Sequence, residues 1–161
     1  MKKQSLKVVT GLVRFGNTHV YEPQSSSDSD APIYSVSIII KKTDRKVLSP
    51  IKEAIEQLKI INPKIFINGS KKFVVQNILQ DGDKIRGELA YKNTYIIYAS
   101  SRNRPGVVDE EINPIIDPDE FYSGCYGRIS FTLYPEIVND ENISIACELN
   151  NIQKLQEGIR L

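Results

Sequence analysis

The segment YSGCYGRISFTLYP, residues 122–135, holds the side chains with the clearest chemical potential in this 161-residue chain. Tyr126 and Arg128 stand two residues apart in it, at the start of an apolar run. A tyrosine ring offers a flat face for stacking a nucleobase, and a guanidinium neutralises a phosphate. Which chemistry is available depends on the direction in which the two side chains face.

A strand over residues 125–134 would alternate its side chains between two faces. One face carries Cys125, Gly127, Ile129, Phe131 and Leu133, and the other carries Tyr126, Arg128, Ser130, Thr132 and Tyr134. The first set is apolar and belongs in an interior, so we expect Tyr126 and Arg128 side by side on the outer surface. The alternative is that such tyrosines pack against the core and keep only the hydroxyl in water.

Other aromatic and basic side chains lie near the ends of predicted strands or in the following loops. Stacking tolerates any base, because every base has a π-face, and contributes roughly 1–3 kcal/mol per base. Cations at the phosphates release counterions. The predicted site for an unpaired strand comprises Tyr126, Tyr98 and Tyr122 as stacking faces and Arg128, Arg102, Arg104, Lys41 and Lys42 as phosphate contacts.

Acidic residues leave a catalytic alternative open. Asp81, Asp83 and Glu88, or the acids of residues 109–120, could hold the divalent ions that a two-metal nuclease requires. An Asp-Gly-Asp stretch is also an ordinary turn, acid-rich loops are usually solvated, and the single histidine, His19, suits a strand-end contact. The sequence has no P-loop and no GxGxxG motif. We therefore expect no enzyme, no cofactor and no metal.

Composition predicts one domain over residues 1–161 with a substantial core. Apolar residues make up 40% of the chain and charged residues 25%. No apolar run is long enough to span a membrane, and no signal peptide is recognisable, so we expect an intracellular protein. Cys125 and Cys147 fall in apolar runs and are expected to be buried free thiols, with a disulfide as the alternative.

Charge is distributed unevenly along the chain. Residues 1–80 contain 13 Lys and Arg against 6 Asp and Glu, whereas residues 81–161 contain 8 against 14. A basic patch built mainly from the first half would suit a polyanion. If the fold mixes the two halves on its surface, the asymmetry has no such meaning.

The elements that position these residues are mostly strands. Strands are predicted over residues 6–15, 33–40, 94–100, 125–134 and 143–149. A helix is predicted over residues 49–61, with Ser49 as its N-cap and Pro50 in its first turn. Asn68-Gly69 indicates a hairpin. The result is a mainly β fold: an OB-like five-stranded β-barrel with one α-helix inserted after the second strand, and long loops.

Five stretches together resemble a known family. They are VRFGNTHVYEP (13–23), YSVSIIIKKTD (34–44), YASSRNRPGVVD (98–109), IDPDEFYSGCYGRISFTLYP (116–135) and ACELNNIQKLQEG (146–158). Their combination resembles the phage and prophage single-stranded DNA-binding proteins. The resemblance implies an OB-fold, no catalytic activity, and sequence-independent binding of single-stranded DNA in phage replication or recombination.

Partners follow from the same resemblance. It implies single-stranded DNA, and phage or host replication and recombination proteins, as partners in the cytoplasm of a bacterial host. A homo-oligomer remains open, and no membrane is involved. The alternative function is a non-enzymatic scaffold of a phage replication or assembly complex that does not contact DNA.

Overall fold

Strands are the commonest secondary structure in the computed structural model, which describes residues 4–25, 31–66, 74–85, 87–139 and 142–161. The described strands are β1 (Leu6–Val9), β2 (Val13–Gln24), β3 (Ile33–Lys41), β4 (Val74–Gln76), β5 (Gln80–Asp81), β6 (Thr94–Ser101), β7 (Gly106–Val108), β8 (Tyr126–Ile137) and β9 (Asn142–Gln156). The described helices are α1 (Arg45–Ile61) and the single turn α2 (Pro63–Phe66), with short 3₁₀ turns at Gly82–Lys84, Leu89–Tyr91 and Pro118–Glu120. This confirms the mainly β fold with one main helix.

Five of these strands close a ring. β3 pairs antiparallel with β2 and with β6, and β8 pairs antiparallel with β2 and with β9. β6 and β9 complete the circuit in parallel, at Ser100 and Glu148. The ring has the five strands predicted for an OB-like barrel. In chain order β3 is the second strand of the ring, and α1 follows it, as predicted.

The predicted first strand over residues 6–15 is two strands. The chain leaves the extended path around Gly11, and a glycine within a strand pattern often marks such a bend. β1 pairs with the middle of β8, from Leu6 opposite Leu133 to Val9 opposite Ser130. β2 then begins at Val13 and enters the ring. A short outer strand therefore precedes the five that close the circuit.

A side chain closes the start of this outer strand. Asn62, only 4% exposed, accepts a hydrogen bond from the Gln4 N–H at 2.8 Å and donates one to the Gln4 carbonyl at 2.9 Å. Its amide also donates to the Leu58 carbonyl at 2.9 Å. Asn62 thus gives Gln4 the two hydrogen bonds of a paired strand while it ends α1.

Helix α1 begins about one turn earlier than predicted. Asp44 is its N-cap, and its carboxylate accepts a hydrogen bond from the Val47 N–H at 3.3 Å. The prediction of Ser49 as the cap is therefore wrong, and Pro50 lies inside the helix. Asp44 takes this role because its short carboxylate reaches a free N–H of the first turn. The predicted end at Ile61 is confirmed.

The predicted interior of the 125–134 run is confirmed. Cys125, Gly127, Ile129, Phe131 and Leu133 are all buried. Ser130, predicted to face outward, is buried as well, and its hydroxyl accepts a hydrogen bond from the Asn151 N–H at 3.2 Å. Cys125 and Cys147 are both buried free thiols, and burial raises the pKa of each. A Cβ on Gly127 would lie only 1.9 Å from the Gln153 carbonyl oxygen, so β8 and β9 can approach this closely only at a glycine.

Two strands extend beyond what their sequences predicted. β9 continues to Gln156, whereas its predicted strand stopped at residue 149, and β7 lies in a stretch where no strand was predicted. The two differences are related, because β7 pairs with residues 151–153 in the added part of β9. The predicted Asn68-Gly69 hairpin lies outside the described residues. None of the described helices has the length and apolar character to cross a bilayer.

Candidate nucleic-acid interface

One outer face of the ring carries aromatic and basic side chains across four strands. Residues directly opposite each other in an antiparallel pair share a face of the sheet. Tyr126 on β8 lies opposite Arg14 on β2, and Arg14 lies opposite Ile39 on β3. Ile39 in turn lies opposite Ile96 on β6. We call this surface, with the adjoining row described next, the tyrosine face.

The adjoining row places a second tyrosine on the tyrosine face. Gly16 on β2 lies opposite Ser37 on β3, and Ser37 lies opposite Tyr98 on β6. Gly16 and Ser37 are small and buried, whereas Tyr98 is 49% exposed. Tyr98 is therefore the exposed residue of this row, whereas Gly16 and Ser37 lie beneath neighbouring side chains.

Tyr126 borders the first of two grooves on this face. The groove has a volume of about 230 Å³ and includes Arg14 and Lys41 among its lining residues. The Arg14 guanidinium carbon lies 5.4 Å from the ring centre of Tyr126. Arg14 is fixed by donating hydrogen bonds to the carbonyls of Gly124 at 3.0 Å and Ile159 at 2.7 Å. A cation is thus held over the aromatic ring at this groove.

Tyr98 borders the second groove, together with Arg102. This groove has a volume of about 400 Å³, and Ser35 of β3 lies in its floor. Arg102 is exposed at the end of β6. The second groove therefore repeats the combination found at the first, an aromatic ring with a cation beside it.

Asn17 fastens the region between the two tyrosines. The β2–β3 register shifts between Gly16 and His19, and Asn17 within this irregularity has a positive φ of 44°. Its amide donates hydrogen bonds to the Tyr91 hydroxyl at 3.0 Å and the Ser37 hydroxyl at 3.3 Å. The buried Tyr91 packs in a small cluster with Ile39 and Ile96. The irregular strand thus anchors the 3₁₀ turn that covers part of the face.

Lys42, a predicted phosphate contact, forms two ion pairs within the protein. Its Nζ lies 2.6 Å from Asp81 Oδ1 and 2.7 Å from Asp83 Oδ2. The hydrogen bond from Lys42 lowers the pKa of Asp81, while that of Asp83 is lowered first by the Asn93 N–H and then by Lys42. These are two of the carboxylates named in the nuclease alternative. In the described part of the chain, no three His, Cys, Asp or Glu side chains are grouped to hold a metal ion.

Arg128 and Arg104, two further predicted contacts, lie outside both grooves. Arg128 is exposed on the outer surface, as expected, and its Nε donates a hydrogen bond to the Thr10 carbonyl at 3.0 Å. It borders another groove, with Val9 and Ile112, so it does not share a groove with Tyr126. Arg104 stacks on Tyr21, with its guanidinium carbon 5.4 Å from the ring centre.

Tyr122, the third predicted stacking face, is already occupied by protein groups. Its hydroxyl lies 2.5 Å from Glu157 Oε2, and the Arg160 guanidinium carbon lies 4.2 Å from its ring centre. Lys154 Nζ lies 5.2 Å from the same centre. The adjacent cavity of about 650 Å³ is rich in carboxylates, contributed by Asp109, Glu110, Asp119, Glu120 and Glu157. Negative charge here opposes the approach of a phosphate backbone.

The structure therefore brings four of the eight predicted residues onto one face: Tyr126, Lys41, Tyr98 and Arg102. It adds Arg14, which the sequence analysis did not select. The signal was present, because Arg14 lies between the buried Val13 and Phe15 in an alternating run and must point outward. Its position opposite Tyr126 depends on the pairing of β2 with β8, which no local pattern reveals.

Comparison with known proteins adds a family match. Residues 6–161 match the model of a family described as Enterobacter phage Enc34, ssDNA-binding protein. No similar sequence is found among proteins of curated function.

Similar solved structures show the same fold. The single-stranded DNA-binding protein of bacteriophage Enc34 in complex with single-stranded DNA has a TM-score of 0.76 and 20% identity, covering 96% of this chain and 89% of that one. Its C-terminal truncation also has a TM-score of 0.76 and 20% identity, covering 96% and 88%. The single-stranded DNA-binding protein gp2.5 of bacteriophage T7 has a TM-score of 0.63 and 12% identity, covering 99% and 95%.

Proposed function

The chain belongs to the Enterobacter phage Enc34 family of single-stranded DNA-binding proteins, and from this premise we propose that it binds single-stranded DNA on its tyrosine face. The observation that carries the proposal is the pairing register, which places Tyr126 and Tyr98 on one face, each in a groove with a cation. Stacking on the two rings needs no particular base, so binding is largely independent of sequence.

The path of the DNA follows from the positions of these groups. An unpaired strand would cross β8, β2, β3 and β6, with one base on Tyr126 and a later base on Tyr98. Arg14, Lys41 and Arg102 would neutralise phosphates along this path.

The remaining predicted residues take lesser parts in this proposal. Arg128 and Arg104 would contact phosphates where a longer strand continues beyond the tyrosine face. Lys42 would contribute less, since two carboxylates already compensate its charge. Tyr122 would accept a base only after Arg160 moves from its ring.

The biological role we propose is non-enzymatic. By occupying exposed single strands, the protein would protect them and oppose their re-pairing during phage replication or recombination, since a ligand stabilises the form that it binds. It would act in the cytoplasm of the bacterial host, in contact with replication or recombination proteins. The ion pairs between Lys42 and the Asp81–Asp83 carboxylates support the absence of a nuclease site there.

The test is a fluorescence anisotropy titration of a labelled dT oligomer with purified protein. Tyr98→Ala and Tyr126→Ala should each weaken binding by about fivefold or more, since one stacking interaction contributes roughly 1–3 kcal/mol. Tyr134→Ala is the matched control, because Tyr134 lies about 27 Å further along β8. It should leave the affinity unchanged.

Two results would contradict the proposal in different ways. Undiminished affinity of the Tyr98→Ala, Tyr126→Ala double variant would show that DNA binds elsewhere on the protein. Absence of binding to any oligonucleotide at low salt would favour the scaffold function instead.

A further inference from the structure

The groove beside Tyr126 is lined in part by apolar side chains, which binding of phosphate groups alone does not explain. Leu12, Ile39 and Ala90 contribute to its lining, and the Tyr126 ring stands at its side. Its volume of about 230 Å³ lies below the about 300–1,000 Å³ typical of sites for drug-sized molecules. A groove of this size and apolar character suits one flat heterocycle, such as a single nucleobase.

A carboxylate also lines this groove. Asp44, the N-cap of α1, is half-buried there and uses Oδ1 to accept the Val47 N–H. Among the described residues, no hydrogen bond reaches its other oxygen and no cation lies within ion-pair distance. A carboxylate repels phosphates, so its position in a DNA-binding face is unfavourable unless it contacts a different part of the nucleotide.

Carboxylates in nucleic-acid interfaces accept hydrogen bonds from amino groups on bases. Cytosine presents its N4 amino group as a donor, whereas thymine presents the O4 carbonyl at the same position of the ring. An Asp carboxylate would bind the first and repel the second. Arg14 and Lys41, which line the same groove, are available to the flanking phosphates.

We propose that the groove between Tyr126 and Asp44 binds one nucleobase and that Asp44 makes it select cytosine over thymine. This inference rests on the proposed function. It adds a modest base preference at one position of a strand that is otherwise bound without regard to sequence.

The test compares dC and dT dodecamers by fluorescence anisotropy at pH 7.5 and one salt concentration. The wild-type protein should bind the dC oligomer about fivefold more tightly, since hydrogen bonds to charged groups exceed neutral ones in strength. Asp44→Asn should bring the ratio of the two affinities close to one. Asparagine caps helices as well as aspartate does, so α1 should be retained.

Two variants control for folding and charge. Asp44→Ser also keeps a capping side chain, and it should abolish the preference in the same way. Asp117→Asn removes a charge from another capping carboxylate, which is exposed and begins the 3₁₀ turn Pro118–Glu120. It should leave the preference intact. A general effect of net charge would change the affinities for the dC and dT oligomers by the same factor, so their ratio would not change.

The outcomes separate the two proposals. Equal affinity of the wild-type protein for the two oligomers, or a preference that survives in both Asp44 variants, would overturn the base-selective groove while DNA binding stands. Failure to bind either oligomer would overturn the proposed function itself and this inference with it.

Discussion

At the scale of single residues, Lys42 forms ion pairs with both Asp81 and Asp83. The hydrogen bonds to the two carboxylates raise the pKa of Lys42. The pKa of Asp81 is lowered from 3.8 by Lys42, and that of Asp83 is lowered first by the Asn93 N–H and then by Lys42. The ammonium group thereby holds the 3₁₀ turn Gly82–Lys84 against the end of β3.

We predict a pH-dependent loss of stability in Lys42→Met. Because the folded pKa values of Asp81 and Asp83 lie below 3.8, their contribution is present above about pH 4 and disappears as the pH falls through those values. The difference in thermal midpoint between wild type and variant should be largest near pH 7 and shrink toward pH 3. Circular dichroism melts measure it.

The control is Lys59→Met, which removes a lysine paired with Glu56 on the surface of α1. Isolated surface pairs contribute little to stability, so this variant should melt close to the wild type throughout. The prediction would be contradicted if the difference in thermal midpoint between wild type and Lys42→Met stayed constant from pH 7 to pH 3.

Residue direction was predictable from sequence, but residue partners were not. Alternation placed Arg128 outside and Cys125 inside, and the structure agrees. Tyr122 is hydrogen-bonded to Glu157, 35 residues later, and Lys42 to Asp83, 41 residues later. Both interactions depend on tertiary structure. No local pattern reveals whether a tyrosine or lysine is already engaged.

At the scale of elements, the approach of β8 to β9 is the tightest constraint on the ring. Gly127 sits where the Gln153 carbonyl of β9 occupies the space of a side chain. Backbone cannot yield as a flexible side chain can, so a methyl group here must force the two strands apart.

Gly127→Ala should therefore lower the free energy of unfolding by about 3 kcal/mol, the upper end of the range for overpacked sites. Urea denaturation followed by circular dichroism measures the change. Gly11→Ala is the matched control, because its Cβ would meet only the Val47 side chain, at an ordinary 3.4 Å. Equal stability of the two variants would show that the ring tolerates a wider separation of β8 and β9.

The bounds of the elements show which features can be predicted from the periodicity of the sequence. Alternation and β-branched residues located β3 and β6 to within one residue. The Ser-Pro pair resembled a helix start, but tertiary packing of Val47 and Leu48 extends α1 back to Asp44. The polar run that ends β9 carries a weak strand signal, and its extension depends on pairing with β7 and β8.

At the scale of the whole molecule, the ring assembles the tyrosine face from distant parts of the sequence. Arg14 and Lys41 come from the basic first half, whereas Tyr98, Arg102 and Tyr126 come from the acidic second half. The charge asymmetry along the chain therefore did not indicate the proposed site. Its location required the order and register of the strands, which composition does not contain.

Salt dependence tests this face as a unit. For single strands, the logarithm of the binding constant falls with the logarithm of salt concentration by about 0.7 per phosphate neutralised. Arg14, Lys41 and Arg102 should together contribute a slope of about −2. Lys41→Ala and Arg102→Ala should each reduce its magnitude by about 0.7, measured by anisotropy titrations over a range of NaCl concentrations.

Lys154→Ala provides the comparison, since Lys154 lies beside the acidic cavity and is paired with Glu157. Its slope should equal that of the wild type. Equal reductions in all three variants would mean that the phosphates contact a broader surface than the tyrosine face.

The amide of Asn62 has a consequence for how copies of the protein coexist on DNA. Molecules that coat a polynucleotide meet at high local concentration, where an open β-edge is a template for aggregation. Asn62 already bonds both backbone groups of Gln4, so an incoming chain could pair with this residue only by breaking those two hydrogen bonds.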